Sequence, residues 1–259
     1  MINIEIVNLQ ILLAFWFGFS RILAISFQLP IFDNLAIPTM VKVFTCLIMT
    51  YAFFPSISSP IIADIVSVGE SSFWVLTAFN VCVGLIIGLI VKLIMDLFVG
   101  AGSMITQQIG FGMIRYFDPT AAQSVGPFEQ LISWGMLIVI LSSGALLPMF
   151  KGLINSFSHI SFLNLGNLVH APEFFTEFFK SIFMSSVLLA SPFIFVNLLI
   201  YMILGIISRI IPQMNVLTVS FVVNIWLGLF VFWTCSDEFF QIAFKIYTER
   251  LGEWFRLVS

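Results

Sequence analysis

Apolar residues are gathered into six long runs separated by short polar or proline-bearing breaks: residues 6–32, 39–54, 73–98, 130–150, 181–208 and 216–235. Residues 73–91 carry no charge and come close to the ~20 residues that a helix needs to cross a bilayer. The pattern predicts an all-α, membrane-associated protein of about six long apolar helices, some of them broken. The first run contains one charge, Arg21, and ends near Gln28-Leu29-Pro30, before an Asp33-Asn34 turn. Pro38 is placed to open the second helix, since its missing N–H is one that a helix start leaves unpaired anyway. Pro55 and Pro60 are expected to close it, leaving 61–72 as a mixed connector with Asp64 and Glu70. The third run ends in Lys92 and Asp96, four apart and so on one helix face, each needing a partner in an apolar setting. Within it, Gly84 and Gly88 form a GxxxG pair that lets another helix approach closely.

Residues 100–126 interrupt the pattern. Gly100, Gly102, Gly110 and Gly112 relax the backbone, Pro119 prevents a simple helix, and Gln107, Gln108, Arg115, Asp118, Gln123 and Ser124 all need hydrogen bonds. Met104, Ile109, Phe111, Met113, Ile114 and Phe117 alternate loosely with glycine and glutamine. Such an element suits a bendable seal inside a membrane scaffold; it equally suits an external loop packed on its neighbours.

In the second half, Ser142, Ser143 and Gly144 form a small-residue patch in the fourth run, and 151–172 reads as a looser region. Ala171-Pro172-Glu173 marks a helix start, and 173–180 is expected to lie along an interface before the fifth run. Pro192 is expected to kink or divide that run. The chain breaks again at Arg209-Ile210-Ile211-Pro212-Gln213-Met214-Asn215, where the polar groups of Arg209, Gln213 and Asn215 are placed to repair the lost backbone bonds. From Ser236, with Asp237 and Glu238 in the first turn, Phe240, Phe244, Tyr247, Leu251 and Trp254 recur at helical spacing, predicting an amphipathic C-terminal helix on a membrane or a partner. Six spans place both termini on one side, and the distribution of lysine and arginine favours the cytoplasmic side.

Composition agrees with a lipid-facing chain: 60% hydrophobic, 9% charged, mean hydropathy +1.12. A net charge of −3 without a basic cluster argues against nucleic-acid binding. The N-terminal run is preceded by Glu5 and no basic residue, so it reads as a retained helix, not a secretion signal. Cys46, Cys82 and Cys235 stand singly in apolar runs, and His159 and His170 lack metal-site spacing. No nucleophile elbow, phosphate loop or dinucleotide fingerprint stands in a suitable context. The chain is therefore expected to be non-enzymatic and to need no cofactor or metal.

Several of these residues together carry a specific resemblance. Arg21 with Pro30-Ile31-Phe32 and Ala36-Ile37-Pro38, then Gly84, Gly88, Gly102, Gln108-Ile109-Gly110-Phe111 and Asp118-Pro119 are followed by Asn197, Gly205, Arg209, Pro212-Gln213-Met214-Asn215 and Gly228. In this pattern the chain resembles the FliR/SctT (SpaR, YscT) export-apparatus family, with Asp118-Pro119 and the PQMN form favouring its flagellar branch. It departs from the family at Ser220 to Asn224, where a proline usually follows the PQMN stretch, and at Gly144-Ala145, where a histidine is common.

The resemblance implies a type III secretion export gate in the bacterial inner membrane, at the flagellar basal body. There the chain would join FliP and FliQ in about five, four and one copies, with FlhB against them, forming the channel for unfolded export substrates below the rod components. Part of such an assembly stands above the membrane plane, on the periplasmic side, where subunits replace lipid. It would also explain breaks at Pro60, Gly100 and Pro212. Residues 1–180 would correspond to a FliP-like unit and 181–259 to a FliQ-like hairpin with the amphipathic helix, fused in one chain. Residues 107–124 would form a plug loop (Gln107, Gln108, Ile109, Gly110, Phe111, Gly112, Met113, Ile114, Arg115, Phe117, Asp118, Pro119), with Phe111, Met113, Ile114 and Phe117 sealing and Arg115 and Asp118 anchoring. The competing reading is a stand-alone or homo-oligomeric small-solute transporter or channel using Lys92 and Asp96, which leaves the PQMN pattern unexplained.

Overall fold

Helices form wherever the chain supplies a long apolar run, and several run further than their prolines and glycines suggest. In the computed structural model, which describes residues 9–29, 32, 38–69, 72–111, 126–162, 171–213 and 215–258, no strand occurs among the described residues. The helices are α1 (Leu9–Ser26), α2 (Thr39–Val68), α3 (Phe73–Ile109), α4 (Pro127–Ser142), α5 (Leu146–His159), α6 (Ala171–Ile210) and α7 (Val216–Val258). Five are long and apolar enough to cross a membrane, and α4 with α5 makes a sixth if that bent pair is one span.

Four expectations are corrected. Pro55 and Pro60 lie inside α2 and do not close it, and Pro192 lies inside α6 and does not divide it. Each proline forfeits one backbone bond, but the neighbouring N–H groups have no better acceptor in apolar surroundings, and the helix persists. Gly100 does not break α3, which continues to Ile109; Gln107, Gln108 and Ile109 are helical. The fourth run is divided at Ser143–Ala145, where Gly144 takes φ +71° and α4 turns by 78° into α5. That second helix takes in 151–159 of what the sequence suggested as a looser region. Finally, neither 173–180 nor the C-terminal segment is a separate element, since α6 and α7 run through them unbroken. The tail's buried positions, Phe239, Ala243, Ile246, Tyr247, Leu251 and Trp254, still follow helical spacing.

The chain forms two compact units. The first comprises residues 1–94, 145–176 and 250–259, and the second 95–144 and 177–249. In the first, α1 packs along α2, with Gly18 against Ile57 and Ile61. α3 approaches α1 at Gly84, where a Cβ would lie 2.7 Å from the Arg21 carbonyl oxygen and 2.8 Å from Ala24 Cβ. One turn on, a Cβ at Gly88 would meet Gln28 Nε2 at 2.9 Å and the Ile25 backbone at 3.1 Å.

Arg21, only 1% exposed, organises the polar groups of this unit. Its Nε donates to Asn80 Oδ1 at 3.0 Å, Nη1 to the Ser156 carbonyl at 2.9 Å, and Nη2 to the Ile160 carbonyl at 3.3 Å. Ser156 and Ile160 stand at the C-terminal end of α5, so a cation from α1 answers the Ile160 carbonyl and adds a second donor to the Ser156 carbonyl, which already accepts the Ile160 N–H at 3.1 Å. The guanidinium also lies 4.4 Å from the Phe157 ring centroid. Asp64 of α2 accepts the Phe162 N–H at 3.3 Å, holding the chain just beyond α5.

In the second unit Ser186 Oγ donates to the Leu97 carbonyl at 3.0 Å, and the backbone of Glu129 rests on Gly102, where a Cβ would come within 2.7 Å of Glu129 Cα. Pro127 and Glu129 give α4 its start: Glu129 Oε2 accepts the Gly126 N–H at 2.8 Å. Phe232 joins Phe128, Phe193 and Phe239 in one aromatic cluster, at centroid separations of 5.3, 6.3 and 6.2 Å.

While the Ser156 carbonyl keeps the Ile160 N–H, replacing Arg21 by methionine removes the donors to Asn80 Oδ1 and to the Ile160 carbonyl at nearly unchanged volume. Burying those acceptors unpaired is expected to cost about 2–4 kcal/mol. The thermal midpoint followed by tryptophan fluorescence should fall by about 5–15 °C, with Arg21→Lys in between because lysine lacks the planar fork.

Candidate functional site

The last turn of α3 carries Gln107, Gln108 and Ile109 of the central insert, and the second unit seats it on α6 and α7. Gln107 is exposed, Gln108 half-buried and Ile109 buried. Helical hydrogen bonding stops at Gly110, whose N–H turns back to the Gln107 carbonyl at 3.2 Å. Its φ of +93° lies where side-chain-bearing residues are strained, so a glycine ends the helix here at little cost. Phe111 then places its ring 5.8 Å from that of Phe128, joining the aromatic cluster.

Opposite Ile109, α7 offers a glycine. A Cβ at Gly228 would lie 2.5 Å from Ile109 Cγ1, so the isoleucine fits only because that side chain is absent. Beside this contact is a narrow cleft lined by Gln108 and Ile109 of α3, Asn197 and Ile200 of α6, and Asn224 and Gly228 of α7. Asn197 Nδ2 donates to Gln108 Oε1. Asn224 Nδ2 donates to the Tyr201 hydroxyl at 3.4 Å. The Oδ1 atoms of Asn197 and Asn224 are buried and have no hydrogen-bond partner among the described residues. Sequence reading noted Asn197 and Gly228 as parts of a pattern and Asn224 as a departure from it. It did not foresee that they meet Gln108; three polar residues at helix positions facing apolar neighbours were the available signal.

The remaining candidates are dispersed. Gly112, Met113, Ile114, Arg115, Phe117, Asp118 and Pro119 lie outside the described residues, as does Met214. Gly84 and Gly88 belong to the first unit, at the approach of α3 to α1. Lys92 is half-buried and Asp96 exposed, one turn apart on α3. Between α6 and α7, Arg209, Pro212, Gln213 and Asn215 are all exposed. Here Asn215 does the capping: its Oδ1 accepts the Thr218 N–H at 3.3 Å, the bond expected of an N-cap asparagine. Among the described residues no group of three or more His, Cys, Asp or Glu could hold a metal ion.

What this geometry provides is a helix end held between two helices, leading directly into a glycine-rich polar segment. Comparison with known proteins gives the arrangement a family. The family model for bacterial export proteins, family 1, matches residues 12–249. The chain belongs to this family. Among its relatives, it is 27% identical over 242 residues to the flagellar biosynthetic protein FliR of Bacillus subtilis, covering 91% of this chain and 90% of that one. It is 25% identical over 230 residues to FliR of Aquifex aeolicus, covering 88% and 86%. The surface presentation of antigens protein SpaR of Shigella flexneri is similar at 26% over 231 residues, covering 86% and 84%. The match takes in all three helices of the α3 seat, and with them Gln108, Asn197, Asn224 and Gly228.

Filling the glycine opposite Ile109 tests the seat. Gly228→Ala should destabilise the protein by about 1–3 kcal/mol through overpacking, and its combination with Ile109→Ala should cost clearly less than the two single changes added together. Gly205→Ala, inside α6 and with nothing within 4 Å, should not lower the thermal midpoint and should raise it slightly.

Proposed function

We propose that this chain is a non-enzymatic subunit of the flagellar type III secretion export gate in the bacterial inner membrane, forming with FliP and FliQ the channel through which unfolded flagellar proteins pass. The observation that carries this reading is the family match over residues 12–249. A membrane-associated all-α architecture agrees with it. So does the quantity of apolar surface left on α6 and α7, where Phe195, Leu198, Met202, Ile206, Trp226 and Trp233 are all more than half exposed. Surface of that kind is stable only against lipid or other subunits.

In this proposal residues 107–124 form the element that seals the resting channel. Gln108, Ile109 and Phe111 secure its base against α6, α7 and α4, and the glycines beyond them let it move aside for substrate. FlhB and the rod components lie next to the assembly, and energy for export comes from other components of the apparatus. The fusion of a FliP-like unit, 1–180, with a FliQ-like unit, 181–259, also belongs to the proposal. The flagellar branch is preferred because of Asp118-Pro119 and Pro212-Gln213-Met214-Asn215, although SpaR is matched at much the same identity as FliR.

Stoichiometry is the direct test. Co-expressed with its genomic neighbours, extracted gently and examined by native mass spectrometry, the tagged chain should appear once in a hetero-complex with several copies of two smaller membrane proteins. A homo-oligomer with saturable solute uptake would instead establish the transporter reading.

A further inference from the structure

We propose that the cleft between Asn197, Asn224 and Gln108 is a binding site for one water molecule, which bridges the two asparagine side chains and fastens the end of α3 to α6 and α7. Asn197 and Asn224 are 9% and 4% exposed, and both line the cleft. Each already spends a carboxamide N–H, on Gln108 and on the Tyr201 hydroxyl respectively. What is left over is two buried carboxamide oxygens, both acceptors, with no donor among the described residues.

Three properties select the occupant. The first is hydrogen-bond complementarity: two acceptors call for two donors, and a water molecule carries two hydrogens. Gln108 contributes an amide to the same wall, a donor type that the water's own oxygen can accept. The second is size. The cleft is narrow, with room near the lower limit for a single water and too little for an ammonium side chain or an organic ligand. The third is charge. The other lining residues, including Phe193, Val196, Ile200 and Val231, are apolar. A metal cation would exchange its hydration shell for two or three neutral oxygens and would be poorly compensated.

The water completes a chain of contacts from Gln108 through Asn197 to Asn224 and Tyr201. Ile109 against Gly228 fixes the same helix end by shape, and the water-bridged network fixes it by hydrogen bonds. This inference concerns internal packing and stands independently of the export reading.

The first test needs no mutation. In a density map of the full chain in its extracted assembly, at a resolution that shows ordered solvent, a peak should lie within about 3.2 Å of both Oδ1 atoms. A well-ordered cleft without such a peak overturns the proposal. Exchanging sodium chloride for N-methylglucamine chloride at equal ionic strength should leave the thermal midpoint unchanged; a clear fall would identify a metal cation as the occupant and would also overturn it. Coupling supplies the third readout. Either Asn197→Leu or Asn224→Leu removes one end of the bridge, so the midpoint shift of the double variant should be clearly smaller than the two single shifts added together. Additive shifts would mean that the asparagines act separately and no shared water joins them. Should a variant not fold, the map and the salt exchange on the unmodified protein still decide.

Discussion

A polar group buried in this chain must be answered from within the protein, because lipid and packed apolar side chains offer it nothing. Arg21 shows how strongly that constraint acts. Its guanidinium reaches from α1 to Asn80 of α3 and to the terminal carbonyls of α5, and it lies over Phe157. One side chain thereby ties three helices together and answers the carbonyl just beyond the end of α5. Other helix ends are answered more locally, with Glu129 serving the start of α4 and Asn215 the start of α7. Where the constraint is met only in part, at Asn197 and Asn224, the structure makes room for a small polar guest.

Much of the fold is legible in the hydropathy pattern, since six apolar runs can become little other than helices. The starts of α2, α6 and α7 follow from Pro38, from Ala171-Pro172 and from Asn215, whose chemistry is local. Interior prolines misled because a proline's effect depends on its surroundings. In water, exposed peptide groups gain alternative partners and a helix can stop; in apolar surroundings the same groups have none, and α2 and α6 continue through Pro55, Pro60 and Pro192. Gly100 and Gly102 misled for a different reason. They are not flexible points but contact points, one facing Ser186 and the other the backbone of Glu129. The bend between α4 and α5 was visible as a small-residue patch, yet nothing local to it specifies a 78° turn.

The candidate site was legible in its components and not in its arrangement. Gln108 and Ile109 stood out as part of a polar insert, and Gly228 and Asn197 as parts of a pattern, but they lie far apart in sequence and only packing brings them together. Arg21 was visible as the one charge in its apolar run. That alone requires partners for it, and it could not say that they would be carbonyls at the end of α5. The seat of α3 gives these residues a physical role: a glycine in α7 admits an isoleucine from α3, and an asparagine in α6 holds the preceding glutamine.

The segment leaving this seat is proposed to close a channel. The most direct measurement is the ion conductance of planar bilayers containing the purified assembly, with the chain intact and with residues 112–117 deleted, which leaves Ile109 and Phe111 in their seat. A sealing segment predicts that the deleted form assembles normally and conducts small ions well above the intact form. Unchanged conductance in a properly assembled complex would contradict it and leave the segment a packing element alone.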